Sequence, residues 1–413
     1  MTMAASHAAD KKLRDAIFGA TAACNKAAEK HGLDKVTNAT IGMMMNDEGG
    51  LAVLPTVEKV YRELETEEMF RYAPIAGLPA YLAEVEKLVF ADNRPEGFIA
   101  SCATAGGTGA IHHAVANYAE RGTKVLTSDW FWGTYNVICN ECDCKLVNYK
   151  LFDANNNFNI SAYADKVAEI FQEQDSLLVI INTPAHNPTG FSLTEEDWDQ
   201  VLALAKKYAA QGKKMSILVD IAYIDFAGEK NEVRRFMRKF SNLPENVFIM
   251  FAFSMSKGYT AYGQRTGALV GVSSSEAVIT EFQDINKYTS RATWSNINRA
   301  AMTTLVKIQQ DESLRAQYEN ERDSFYQTIQ KRAEVFMKEA KECGLNALPY
   351  NGGFFLSVPA ADPQAVCNKL HDDLIFAVPL KMGVRVAACC VPEEKMHGVA
   401  AKVLKALKAV ENW

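Results

Sequence analysis

The sequence predicts an α/β protein: a large domain on a mostly parallel sheet, with a smaller α+β domain beside it. Three observations carry this. Between residues 100 and 275, apolar strand-like runs alternate with helix-like segments. Most of those runs are continuously apolar rather than alternating, as strands covered on both faces require. After residue 296 the character changes to charged helical patterns followed by short strands. The 413 residues suggest two to three units, at roughly 150 residues each.

Residues 11 to 31 read as a helix that packs with the smaller domain. The strands of the large domain are "KVLTSD" (124–129), "CKLVNYKLF" (144–152), "LLVIINTP" (177–184), "MSILVDIAY" (215–223), "VFIMFAFSM" (247–255) and "TGALVGVSS" (266–274). The helices between them include "GTGAIHHAVANYAERG" and "TEEDWDQVLALAKKYAAQG". The second opens on Thr194 as N-cap, has an acidic first turn (Glu195, Glu196, Asp197) and closes on Gly212. Residues 296 to 342 read as helical, "GGFFLSV" and "GVRVAAC" as strands, and 393 to 411 as the last helix. The expected division is 48–309 for the large domain and 1–47 with 310–413 for the small one, the boundary near 310 falling inside a long helix.

Apolar residues make up 48% and charged residues 23%, ordinary values for a chain with a sizeable core. The net charge is −6, from 44 basic and 50 acidic residues, with no basic stripe, which argues against nucleic acid as a partner. "MTMAASHAADKKLRDAIFGA" has no apolar signal core, and no run approaches the ~20 residues that span a bilayer. A soluble, cytoplasmic protein without membrane partners is expected. Nine cysteines in such a chain are free thiols by default. Cys139, Cys142 and Cys144 have CxxC spacing, but no nearby Cys or His completes a metal site, and small residues at a helix-to-strand passage explain them as well.

Ligands of a mostly parallel sheet bind at the carboxyl ends of its strands. Four polar stretches stand there. In "TAGGTGA" (104–110) glycines precede a helix whose first N–H groups suit a phosphate, although such loops are also plain tight turns. "NTPAHNPTG" (182–190) brings Asn187 to a strand end, as a donor or as part of a turn. In "VDIAYIDF" Asp220 closes an apolar run and Tyr223 follows; a buried carboxylate needs a cation or donors, a salt bridge being the bland solution. In "FAFSMSKGYTAYGQRTGALVG" Lys257 follows a buried strand among Ser254 and Ser256, with Arg265 close behind. A lysine there is costly unless paired or used, and lysine amines form Schiff bases with carbonyl compounds.

With "NATIGMMMNDEGG", "RYAPIAGLP", "RATWSN", "NGGFF" and "GVRVAA" added, this ordered set resembles the aspartate aminotransferase family of pyridoxal-phosphate enzymes, fold type I, class I. The resemblance implies that Lys257 holds the cofactor's aldehyde and later acts as a base. It places Asp220 at the pyridine nitrogen, and Asn187 and Tyr223 at the phenolic oxygen. Gly107, Thr108, Ser254, Ser256 and Arg265 would form the phosphate cup, joined by Tyr72 from a neighbouring subunit. Trp132 would stack on the ring, with Trp130 a rival for the place. Arg385 would grip the substrate's α-carboxylate, Gly42 would lie over the substrate, and Arg291 of the neighbour would bind a dicarboxylate. The implied assembly is a homodimer with shared sites, acting on small amino and keto acids.

Three departures from the family pattern stand out. Gly106 replaces a common serine, Thr134 and Tyr135 replace Asn and His, and "SNINRAA" lacks a proline pair. The first removes one phosphate contact; the other two are expected near the substrate side chain, opening the site to aromatic amino acids. The function implied is transfer of the amino group of aspartate, aromatic amino acids or both to 2-oxoglutarate by a ping-pong mechanism. A lyase on the same fold and a non-catalytic binding relative are the alternatives.

Overall fold

The computed structural model describes residues 3–411 except 10 and 14. The expected small domain also takes in residues 1, 2, 10, 14, 412 and 413, which lie outside the described residues. A two-residue strand, β1 (Thr37–Asn38), precedes the main sheet. The sheet comprises β2 (Phe98–Thr104), β3 (Lys124–Ser128), β4 (Lys145–Tyr149), β5 (Ser176–Asn182), β6 (Lys214–Asp220), β7 (Val247–Ser254) and β8 (Gly267–Ser273). Four more follow: β9 (Phe355–Pro359), β10 (Ile375–Phe376), β11 (Val378–Leu380) and β12 (Gly383–Ala387).

The main sheet has the order β2-β8-β7-β6-β5-β3-β4. Its strands are parallel from β7 to β4, and β8 alone runs against both neighbours. Side chains alternate between two cores, which is why the runs carry no polar face. Val179, Ile181, Ile217, Val219, Ile249 and Phe251 enter one core. Ile180, Leu218, Met250 and Ala252 enter the other, under the helix Gly106–Tyr118. Strand β2 lies outside the sequence expectation: "FIASCAT" dilutes its apolar residues with Ser101, Cys102 and Thr104, and its pairing with β8 supplies the burial that its composition does not announce.

β9, β11 and β12 form a small antiparallel sheet in the order β11-β12-β9, and β1 pairs parallel with β10. Leu356, Val358, Val384 and Val386 pack with the helices Glu312–Cys343 and Val399–Glu411 in a third core. The long helix serves two cores: Tyr318 packs in the main one, while Ile329, Ala333 and Phe336 pack in the third. It is separated from the helix Arg299–Gln310 by Asp311, extended at φ −99° and ψ 117°, whose carboxylate accepts the Leu314 N–H. The expected continuous helix across residue 310 is therefore two helices, broken by a cap.

The helix Glu195–Ala209 has the expected cap: Thr194 and Asp197 accept each other's backbone N–H, a device worth ~1 kcal/mol. It ends before Gly212, with Ala210 as C-cap. The last helix is interrupted: Glu393–Met396 and Val399–Glu411 flank Gly398, held at φ 79° with its N–H donated to Glu339 at 2.8 Å. The first helix is Ala16–His31, capped by Asp15. Among the described residues no helix is long and apolar enough to cross a membrane. Cys139 is buried under the sheet, and no group of three or more His, Cys, Asp or Glu among the described residues is placed to hold a metal ion.

Candidate active site

Register aligns the polar residues. Asn182, Asp220 and Ala252 are neighbours across β5, β6 and β7, and Ser254 and Thr104 both pair with Gly267. The carboxyl ends of β2, β5, β6 and β7 thus share one rim, which opens into a cavity of about 340 Å³. Gly42, Gly107, Thr108, Trp132, Asn187, Asp220, Tyr223, Ser254, Ser256, Lys257, Arg265 and Arg385 line it. Two expected residues do not. Tyr72 is 87% exposed, and Arg291 is exposed with its guanidinium donating to Ser295 Oγ at 2.7 Å.

Lys257 sits in the short helix Met255–Gly258 that closes β7. Its Nζ donates to the Gly42 carbonyl at 2.5 Å and lies 4.9 Å from the Tyr262 ring centroid. Burial pulls its ammonium down to about 8, and the guanidinium groups of Arg385 and Arg265 act in the same direction. A Cβ on Gly42 would stand 2.8 Å from Phe355 Cζ, so this close approach of backbone to amine needs glycine.

Asp220 is buried, which raises its carboxyl above the usual range; hydrogen bonds from Tyr135 and the Ala222 N–H oppose that rise. Tyr135 Oη donates to Asp220 Oδ2 at 2.5 Å and the Ala222 N–H donates to Oδ1 at 3.1 Å. Asn182 braces the rim, donating to the Asp220 carbonyl at 2.7 Å and accepting the Asn187 N–H at 2.6 Å. Asn187 Nδ2 reaches Tyr223 Oη at 3.4 Å. His186 is buried beside Thr189, a neutral structural imidazole.

The helix Gly106–Tyr118 opens on Ala105, which offers no side-chain cap, so its first N–H groups are free for an anion. Arg265 faces this end, donating to Ser256 Oγ at 3.3 Å and to the Tyr262 carbonyl at 2.9 Å. Gly106 has φ 69°, and a Cβ there would stand 2.8 Å from Arg265 Nη2. The departure from serine is therefore more than a lost contact: a side chain would displace the guanidinium.

Arg385, on β12, is 2% exposed. It donates to the Thr40 carbonyl at 2.7 Å and to Asn187 Oδ1 at 3.3 Å, and stacks 4.1 Å from the Phe355 centroid. Among the described residues its Nε has no hydrogen-bond partner and no carboxylate forms an ion pair with it; the charge of Asp15 acts only from further away. A buried guanidinium without a carboxylate is costly unless a ligand supplies the anion.

The two tryptophans separate. Trp130 is buried in the main core, while Trp132 is half-buried on the cavity wall. Tyr135 corrects an expectation: it lies behind Asp220, not beside the substrate side chain. The "SNINRAA" segment also stays off the cavity wall; Asn298 caps the helix Arg299–Gln310 and bonds Gln264. Asp15, Ile17, Phe18, Ile41, Met43 and Tyr262 line the cavity without having been expected to. Ile41 and Met43 carried a signal through their place in "NATIGMMMNDEGG", and Tyr262 through its place in the lysine motif.

These residues fit an aromatic phosphate cofactor. The cavity offers an anion cup, a buried carboxylate, a neutral donor pair and a reactive amine. The family model described as "Aminotransferase class I and II" matches residues 34–403. The aspartate aminotransferase of Escherichia coli is 28% identical over 322 residues, covering 75% of this chain and 77% of that protein. A crystal structure of an aminotransferase from Anaerococcus prevotii superposes with a TM-score of 0.96 at 36% identity, covering 98% of this chain and 100% of that one. An aromatic-amino-acid aminotransferase from Burkholderia pseudomallei, solved covalently bound to pyridoxal phosphate, has a TM-score of 0.80 at 23% identity, with 98% and 100% covered. The last is a likeness of fold.

Proposed function

The chain belongs to the class I and II aminotransferase family, and on that premise we propose that it transfers the amino group of aspartate, aromatic amino acids or both to 2-oxoglutarate in two half-reactions. It is a transaminase of fold type I, with pyridoxal 5′-phosphate as its cofactor. One observation carries the site assignment: a half-buried amine, a buried carboxylate and a buried guanidinium share one cavity, and none of the three forms an ion pair among the described residues.

Gly107, Thr108, Ser254, Ser256 and Arg265 would hold the phosphate, and Trp132 would cover the ring. Asp220 would meet the pyridine nitrogen, while Asn187 and Tyr223 would donate to the phenolic oxygen. The cofactor supplies an electron sink when the substrate Cα–H bond breaks. Arg385 presents its free edge to the α-carboxylate, a pairing that fixes orientation as well as charge. Lys257 then takes the Cα proton, and its depressed ammonium makes it a competent base near neutral pH. Gly42 limits the amine's approach from one side.

Tyr72 and Arg291 belong to the proposal through a second copy of the chain. Both are exposed and away from their own cavity, so the reading requires a homodimer in which each completes the other's site. The two-domain division, expected at residues 48 and 309, is kept as part of it with the second boundary moved into the helix Glu312–Cys343, because Tyr318 packs in the main core and Ile329 in the third. The nine free thiols support a reducing compartment such as the cytoplasm.

The test is a product assay with aspartate, phenylalanine or tyrosine against 2-oxoglutarate. Glutamate should form in step with the keto acid; pyruvate or ammonia without glutamate would instead identify a lyase. Arg291→Leu should depress dicarboxylate turnover, and unchanged turnover would refute the assigned role of Arg291.

A further inference from the structure

Tyr135 is unused by the mechanism above, yet it makes a short buried contact to one of its charged groups. It lies in the first turn of the helix Thr134–Glu141 and has no solvent exposure. Its ring stands edge-on to Trp132, with centroids 5.7 Å apart at 84°. The Asp220 carboxylate accepts one donor on each oxygen: Tyr135 Oη at 2.5 Å on Oδ2 and the Ala222 N–H at 3.1 Å on Oδ1. A carboxylate has about four acceptor positions, so these two bonds fix its plane and leave room for a third donor from the cavity. Burial, and then the nearby Asp220 charge, hold the phenol's proton well beyond its ordinary range. Tyr135 is thus a donor at any working pH.

We propose that Tyr135 is a positioning residue for the cofactor: its phenol holds the Asp220 carboxylate turned toward the ring nitrogen of the bound pyridoxal phosphate. The inference rests on the cofactor reading above. It assigns a purpose to the departure at this position, where a neutral donor that does not titrate replaces a side chain that does. Trp132 and Tyr135 then act from one turn, the first on the face of the ring and the second, through Asp220, on its edge.

The test uses the full chain stripped of cofactor and two ligands that cannot bond to Lys257. One is 4-deoxypyridoxine 5′-phosphate; the other is its analogue with the ring nitrogen replaced by CH. Tyr135→Phe should weaken the first about 10- to 100-fold, the range for a lost hydrogen bond to a charged group. It should change the second by less than about threefold, since that ligand gives Asp220 nothing to hold. Tyr135→His, which restores an N–H donor, should recover part of the loss. Equal weakening of both ligands would assign Tyr135 to packing alone and overturn the proposal, as would unchanged affinity for the first. A wild-type chain that binds neither ligand would refute the cofactor reading itself, and this inference with it.

Discussion

Two buried arginine sites flank Lys257, and they differ in whether their charge is answered inside the chain. On one side Asp225 accepts Arg234 Nη2 at 2.8 Å, with Arg322 Nη1 at 3.8 Å. Arg234 also donates to the carbonyls of Leu88, Val89 and Lys230, so its donors are consumed locally. On the other side Arg385 is equally buried, but its contacts are two neutral oxygen acceptors and an aromatic face, with no ion pair among the described residues. Burial is the same in both places, so burial does not mark function. The closed network packs against the turn that carries Lys257, since a Cβ on Gly258 would clash with Asp225, and the open one has a charge left for a ligand.

Breaking the open side at its centre should cost most. Lys257→Ala should lower glutamate formation by at least about 10⁴-fold, the scale for removing a group that acts on the reacting atoms. Activity within tenfold of wild type would end the assignment. Arg385→Met should lower kcat/KM for the amino donor by about 10²- to 10³-fold, for one or two lost charged hydrogen bonds. The same change should leave unfolding free energy unchanged or raised, because it removes a buried charge that lacks a partner.

The closed side should show the reverse. Asp225→Asn should destabilise the fold by about 3–5 kcal/mol in denaturant unfolding, because Arg234 is left buried without its anion. If Arg385→Met costs as much stability as Asp225→Asn, the contrast fails. Acid sharpens it further. Burial alone would raise the Asp225 carboxyl, but Arg234 and Arg322 outweigh burial and hold it below its ordinary value. A depressed folded value means the stabilisation is complete above the unfolded pKa, ~4, and is lost as pH falls through the folded one. Wild type should therefore lose more stability below about pH 4 than Asp225→Asn does. The smallest effect is a shift of midpoint. Capture of a simple aldehyde by cofactor-free Lys257 should rise with pH about a midpoint near 8, where an ordinary lysine would show one near 10; a midpoint near 10 would remove the burial argument.

Much of the sheet was legible because its strands are covered on both faces and so contain little but apolar residues, as in "VFIMFAFS". β2 was not, because Ser101, Cys102 and Thr104 dilute its pattern. The polar residues at strand ends were legible for the complementary reason. Asp220, Asn187 and Lys257 interrupt apolar runs where only a partner or a ligand can offset their burial. Tyr135 was misplaced because its partner is 85 positions away, and no local pattern distinguishes a tyrosine facing a carboxylate from one facing substrate. Asp15, Ile17 and Phe18 gave no sign at all, since their place on the cavity wall depends on how the first helix docks.

The sequence by itself determined the class of the fold, the ordered motifs and the residue types that chemistry would need. Those follow from local rules: apolar periodicity, caps and the cost of charge at a buried strand end. The tertiary structure decided which charges are answered and which are left open. It paired Asp225 with Arg234 and gave Arg385 only neutral acceptors, placed Tyr135 behind Asp220, and kept Tyr72 and Arg291 out of their own cavity. These outcomes depend on distances between segments far apart in the chain, and electrostatic and hydrogen-bond energies are set by those distances.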